Sequence, residues 1–173
     1  VFGWNLYEGD QNTELVSVGL HPVLSCTWGD SCIPMRQIEE VDLNDFDALA
    51  IPGGFEQANF YEDAFSEDFL SIIQHFDKAN KPIAAICVAG LAVAKSGVLT
   101  DRFGTTYRFK NNPRQDQMKE YGVLVQSNER IVEDRNIITS SSPETALDVA
   151  FRLLELLTNE ENTAEVKRRM GFA

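Results

Sequence analysis

The chain has 173 residues, 43% of them hydrophobic, and sets 27 Asp and Glu against 15 Lys and Arg for a formal charge of −12. That length suits one domain with a sizeable core, and the acidic balance disfavours nucleic acid and anionic membrane surfaces as partners. No apolar run approaches the roughly 20 residues of a membrane span, and no secretory leader is read.

Three cysteines without a CxxC spacing point to a reducing compartment, taken as the cytoplasm. A Cys26–Cys32 bridge is the minor alternative. The basic cluster Lys167-Arg168-Arg169 reads as the solvated end of a helix.

In chain order, residues 12–19 suit a strand through Leu15, Val16 and Val18. Residues 22–27 and 33–36 read as short paired strands around the turn Trp28-Gly29-Asp30, and an acidic connector follows. Residues 48–51 form another short apolar strand, which Pro52-Gly53-Gly54 breaks. Two glycines can bring bare N–H groups close to a neighbouring site, as an oxyanion hole requires; a plain turn would look the same. Residues 63–80 have helical period, with Phe65, Phe69, Ile72, Ile73 and Phe76 along one face and His75 beside it as a surface or capping residue.

The stretch from Lys81 to Gly97 organises the rest. Pro82 opens an apolar run, residues 83–86, suited to a buried parallel strand, and residues 88–94 run as a short helix toward Gly97. Cys87 therefore stands where a strand turns into a helix. Ala85 and Ala89, two positions away on either side, leave it room, with Gly90 next. This is the spacing of a nucleophile elbow carrying cysteine in place of serine, and a helix N-terminus at the sulfur is expected to depress its pKa. A structural buried cysteine would fit the same place. Downstream, residues 98–107 hold a short strand ending near Tyr107, and residues 112–121 a helix closed by Gly122. Strands at 122–126, 130–133 and 136–140 follow, then a helix from Ser142-Pro143 to residue 157 and a charged, helical tail.

The Pro-Gly-Gly loop, the Ala-Ile-Cys elbow, Gly104-Thr105-Thr106-Tyr107 and residues 136–150 together resemble the ThiJ/PfpI superfamily, relatives of the class I glutamine amidotransferases. The resemblance implies an α/β fold, a parallel-sheet, three-layer αβα sandwich of flavodoxin-like type, with residues 1–173 as a single domain and a homodimer as the assembly. It implies that residues 1–4 end the first helix and that the first strand and acid-bearing helix start lie upstream; Glu14, after Gly9, is an alternative acid.

It further implies Cys87 as nucleophile, backbone donors from Gly53, Gly54 and Val88, and Tyr107 at the end of the neighbouring strand. Members with protease or glyoxalase activity carry a histidine at the places held here by Val88 or Tyr107. The chain's two histidines, His21 and His75, lie elsewhere, so a peptidase is the weakest reading. The functions it implies are action on small reactive carbonyls, as in glyoxalases and deglycases, or a non-catalytic redox, stress-response or ligand-sensing role. Neither a cofactor nor a metal is expected.

Overall fold

The computed structural model describes residues 1–109 and 113–172. Its centre is a four-stranded sheet in the order β5 (Leu49–Ile51), β6 (Ile83–Ala85), β10 (Ile137–Ser140), β9 (Ile131–Asp134). The first three strands are parallel, with Leu49 opposite Ile83 and Ile137 opposite Ile83 on the other side; β9 returns antiparallel.

Alternation along the strands explains the layers, because successive side chains of a strand point to opposite faces. Ile83 and Ala85 join Ile51 and Ile137 in a cluster with Ile72, Ile73 and Phe76 of α3 (Glu67–Lys78) and with Leu91 and Val93 of α4 (Ala89–Lys95). Ala84 and Ile138 face the other way, onto Val149 and Leu153 of α6 (Ala146–Leu157) and onto Phe2 of α1 (Phe2–Glu8). Helices thus cover both faces of a mainly parallel sheet, the three-layer α/β sandwich expected from the sequence.

Several local expectations are corrected. The helix expected over 63–80 is two, α2 (Phe60–Ala64) and α3, because Ser66 turns the chain out of helix and its side chain caps Phe69 N–H at 3.2 Å. The first helix runs on to Glu8, and its Phe2 packs into the core. Only β1 (Val18–Gly19) of the strand expected over 12–19 forms, pairing in parallel with β4 (Arg36–Gln37). The hairpin partner of β2 (Leu24–Ser25) is β3 (Ser31–Cys32), a few residues earlier than read.

The strands expected around 127–129 belong to different sheets: β8 (Leu124–Val125) pairs with β7 (Phe103–Gly104), and β9 with β10. Helix α5 spans Arg114–Glu120, and Asn112, where its start was expected, lies outside the described residues. The closing helix α7 (Glu160–Arg169) ends in the basic cluster. Among the described residues, no helix is long and apolar enough to cross a membrane.

Candidate functional site

Strand β6 ends at Ala85 and α4 begins at Ala89, so the chain reverses direction within three residues. Cys87 makes the turn with φ at +59°. Six non-glycine residues among those described have positive φ, and five of them, Gln11, Asn59, Asn80, Asp101 and Arg135, are exposed. Cys87 alone is buried, with 6% of its surface accessible. A buried L-residue in the left-handed region costs about 1–2 kcal/mol and persists only where its surroundings hold it there.

Those surroundings are small residues and hydroxyls. Ala85 and Ala89 are fully buried. A Cβ on Gly90 would stand 2.6 Å from the Thr105 carbonyl oxygen, so α4 and the chain after β7 approach as backbone against backbone. Thr106 Oγ1 donates to the Cys87 carbonyl at 2.9 Å, and the Tyr61 phenol, from α2, reaches the Val88 carbonyl at 3.4 Å. Both hydroxyls tie the turn from outside its own element.

The Pro-Gly-Gly loop comes against the same turn. A Cβ on Gly53 would meet the Ile86 carbonyl oxygen at 3.0 Å and the Cys87 Cβ at 3.1 Å, with Sγ at 3.8 Å. Glycine is required there for the backbone to pass the cysteine at that distance. A side chain on Gly54 would run into the Phe60 ring. The structure thus brings together Cys87, Val88, Gly53 and, through its neighbour, Gly54. Tyr107 is half-buried one residue beyond Thr106, and its ring rests edge-on against Phe109 at 5.8 Å.

Three residues that the sequence reading passed over flank this turn. Tyr61 carries the phenol that reaches the elbow. Arg114, with 8% of its side chain exposed, lies 4.8 Å from the centre of the Tyr61 ring, pairs with Glu56 and donates to Gln117 at 2.8 Å. Glu56 is three residues beyond Gly53, so this ion pair fastens the glycine loop to α5. Burial pushes the Tyr61 phenol up to about 12, while the Arg114 charge opposes that rise. The sequence offered little signal for the set beyond an aromatic residue shortly after the glycine loop.

The electrostatics correct one expectation. Burial pushes the Cys87 thiol above its ordinary value, and the Val88 N–H bonded to it pulls the other way without prevailing. Helix α4 is short and the sulfur is almost enclosed, so desolvation of a thiolate outweighs one N–H dipole. The sulfur is accordingly a thiol at neutral pH and has to lose its proton as it attacks.

His21 Nε2 pairs with Asp63 at 2.9 Å, both exposed, and His75 lies half-buried against Phe76. Cys26 and Cys32 are exposed free thiols. Among the described residues, no group of three or more His, Cys, Asp or Glu is placed to hold a metal ion.

The chain is 31% identical over 163 residues to protein DJ-1alpha of Drosophila melanogaster, covering 90% of this chain and 70% of that one. It is 27% identical over 152 residues to protein dj-1beta of the same organism, and over 150 residues to the glutathione-independent glyoxalase DJR-1.2 of Caenorhabditis elegans, in both cases covering 87% of this chain and 76% of the relative. The crystal structure of Drosophila melanogaster DJ-1beta superposes with a TM-score of 0.74 at 26% identity, over 87% of this chain and 77% of that one. The family model described as DJ-1/PfpI family matches residues 4–156, and the chain belongs to that family.

Proposed function

We propose that the protein is a Cys87-dependent enzyme acting on small reactive carbonyls, of the α-oxoaldehyde type. The observation that carries this reading is the buried, positive-φ cysteine at a strand–helix joint with the backbone of Gly53 against it. The likeness to a Caenorhabditis elegans glutathione-independent glyoxalase supports the substrate class.

In this mechanism the Cys87 sulfur adds to the aldehyde carbon and its proton passes to the carbonyl oxygen, giving a hemithioacetal. A proton then moves from that carbon to the adjacent one, and the hydroxyl proton to the adjacent oxygen, which turns the adduct into a thioester of the 2-hydroxy acid. Water cleaves the thioester and restores the thiol. The sum is α-oxoaldehyde plus water to 2-hydroxy acid, with no outside oxidant. The N–H groups of Val88, Gly53 and Gly54 hold the developing oxyanion, and the Tyr107 phenol serves as an additional donor. Relay of the proton calls for a positioned acid-base, which is worth roughly 10²–10⁴-fold.

The same geometry supports a second reading, because the N–H that bonds the thiol would equally hold a sulfenate oxygen. In that case the chain is a redox-responsive stress protein without turnover. Under either reading we place residues 1–173 as one domain of a cytoplasmic homodimer without metal or cofactor. The exposed Trp4 and Tyr7 supply apolar surface for the dimer contact.

The deciding experiment follows conversion of methylglyoxal to lactate by the wild type, Cys87→Ser and Tyr107→His. Turnover in the wild type that vanishes in Cys87→Ser supports the enzyme. An inert wild type that gains activity in Tyr107→His, and whose stability or association changes on peroxide treatment, favours the sensor.

A further inference from the structure

Next to the glycine loop lies a feature that the proposed chemistry does not use. The β2–β3 hairpin turns through Gly29, with φ at +90°, and is closed by hydrogen bonds from Cys26 N–H to the Asp30 carbonyl at 2.8 Å and from Gly29 N–H to the Cys26 carbonyl at 3.1 Å. This turn presents Trp28 with 80% of its surface accessible. Its ring meets that of Phe55 edge to face, with centroids 5.4 Å apart and planes at 66°. Phe55, 46% exposed, directly follows Gly54. The two rings, with Thr27, Gln57 and Ala58, line a cavity of about 390 Å³.

We propose that this cavity binds an aromatic group carried by the carbonyl compound that Cys87 attacks. The inference rests on the carbonyl reading above and names the substrate class for that site. Three observations select the occupant. The volume falls within the range of about 300–1,000 Å³ typical of small-molecule sites. The lining has two aromatic faces and edges, one hydroxyl and one amide, and no charged side chain, which suits an uncharged ring and gives an anionic or cationic tail nothing to pair with. One wall of the cavity adjoins the site along the chain: Phe55 is two residues from Gly53, their backbones at most about 7 Å apart, and Gly53 packs against the cysteine. The preferred substrates are then aryl or arylalkyl α-oxoaldehydes rather than methylglyoxal.

The test separates this inference from the enzyme reading by using alkylation, which needs only the Cys87 thiol. In the full chain carrying Cys26→Ser and Cys32→Ser, Cys87 is the remaining thiol of the three. Its rates of S-alkylation by iodoacetamide and by N-phenyl-iodoacetamide are measured, and the aryl preference is divided by that of free cysteine. A normalised preference of about tenfold is expected, falling toward one when Trp28→Ala or Phe55→Ala is added. Trp28 is largely exposed, so its loss leaves the core intact.

A normalised preference near one in the parent protein, or one that survives both substitutions, overturns the proposal. So does a Trp28→Ala protein whose sedimentation mass changes while the preference stays, since the rings would then belong to a contact between copies. Should the aryl preference appear while neither methylglyoxal nor phenylglyoxal is turned over, the cavity stands and the enzyme reading alone fails.

Discussion

Two arginines are buried to the same extent at opposite ends of the sheet, with 7% of the Arg102 side chain and 8% of the Arg114 side chain exposed, yet their surroundings differ in kind. Arg102 sits at the amino edge. Its Nε donates to Asp134 at 3.2 Å, Nη1 to Asp77 at 3.0 Å and to the Val98 carbonyl at 3.3 Å, and Nη2 to the Asp134 carbonyl and to Asn136 Oδ1 at 3.1 Å. A guanidinium has five N–H donors, and these five bonds use them all. Asn136 passes the connection on to the Lys81 carbonyl at 3.1 Å, so helix α3, the loop after α4 and the starts of β6 and β10 are joined through one side chain. Arg114, at the carboxyl edge, is held by Glu56, whose own side chain is 61% exposed, and stacks on a titratable phenol beside the cysteine. The first arginine serves the fold. The second brings a charge to the candidate site and anchors its loop.

Replacing Arg102 with leucine is the most direct way to break this contrast. It leaves Asp77 without its counter-charge and Asp134 with only the exposed Arg135 at 3.7 Å, and should cost about 3–5 kcal/mol in urea unfolding. If Arg114→Leu costs as much, the division of roles is wrong.

Gly90→Ala should come next, at about 2 kcal/mol, because the Thr105 oxygen that the new methyl meets is backbone and cannot rotate away. Thermal unfolding of this variant, read beside carbonyl turnover, tests whether the site end is held by close backbone packing where the other end is held by charge.

Arg114→Leu itself should lower stability by only about 1 kcal/mol, since water can take over the exposed Glu56 carboxylate. Its larger effect should fall on turnover, through the loosened glycine loop. Glu56→Gln should reproduce that loss of turnover with little change in stability.

The smallest effect concerns pH. The Tyr61 phenol is raised from 10.0 to about 12 in the folded protein, so its contribution to stability is complete below about pH 10 and is lost as pH climbs toward about 12. The Cys87 thiol, raised from 9.0, acts in the same direction. Tyr61→Phe should flatten the alkaline decline of stability, measured by urea unfolding at about pH 9, 10 and 11. A decline as steep as that of the wild type would detach Tyr61 from the Arg114 cluster.

What could be read without the structure was local. Strands β5 and β6 are short apolar runs stopped by Pro52 and by the Cys87 turn, and the small residues around Cys87 sit within two or three positions of it. Tyr61 lies 27 residues from the Val88 carbonyl it reaches, Thr106 lies 19 from Cys87, and Arg114 lies 58 from Glu56. No periodicity spans such separations; tertiary packing alone brings these groups together. Two-residue strands such as β1 and β4 are too short to show alternation. The break at Ser66 did have a signal, a serine followed by Glu67 and Asp68, but the apolar period running through it dominated. The expected direction of the Cys87 shift failed for a related reason: a helix start is visible in a sequence, whereas the depth of burial that opposes it is not.

The left-handed turn at Cys87 sets stability and chemistry against each other at a single codon. Glycine occupies that conformation without the steric penalty that cysteine bears there, and the site is packed by alanines that need not move. A laboratory selection for heat resistance alone should therefore recover Cys87→Gly, a sturdier protein with no sulfur at the elbow. The temperature gained would measure how much strain the fold holds in place at its reactive atom.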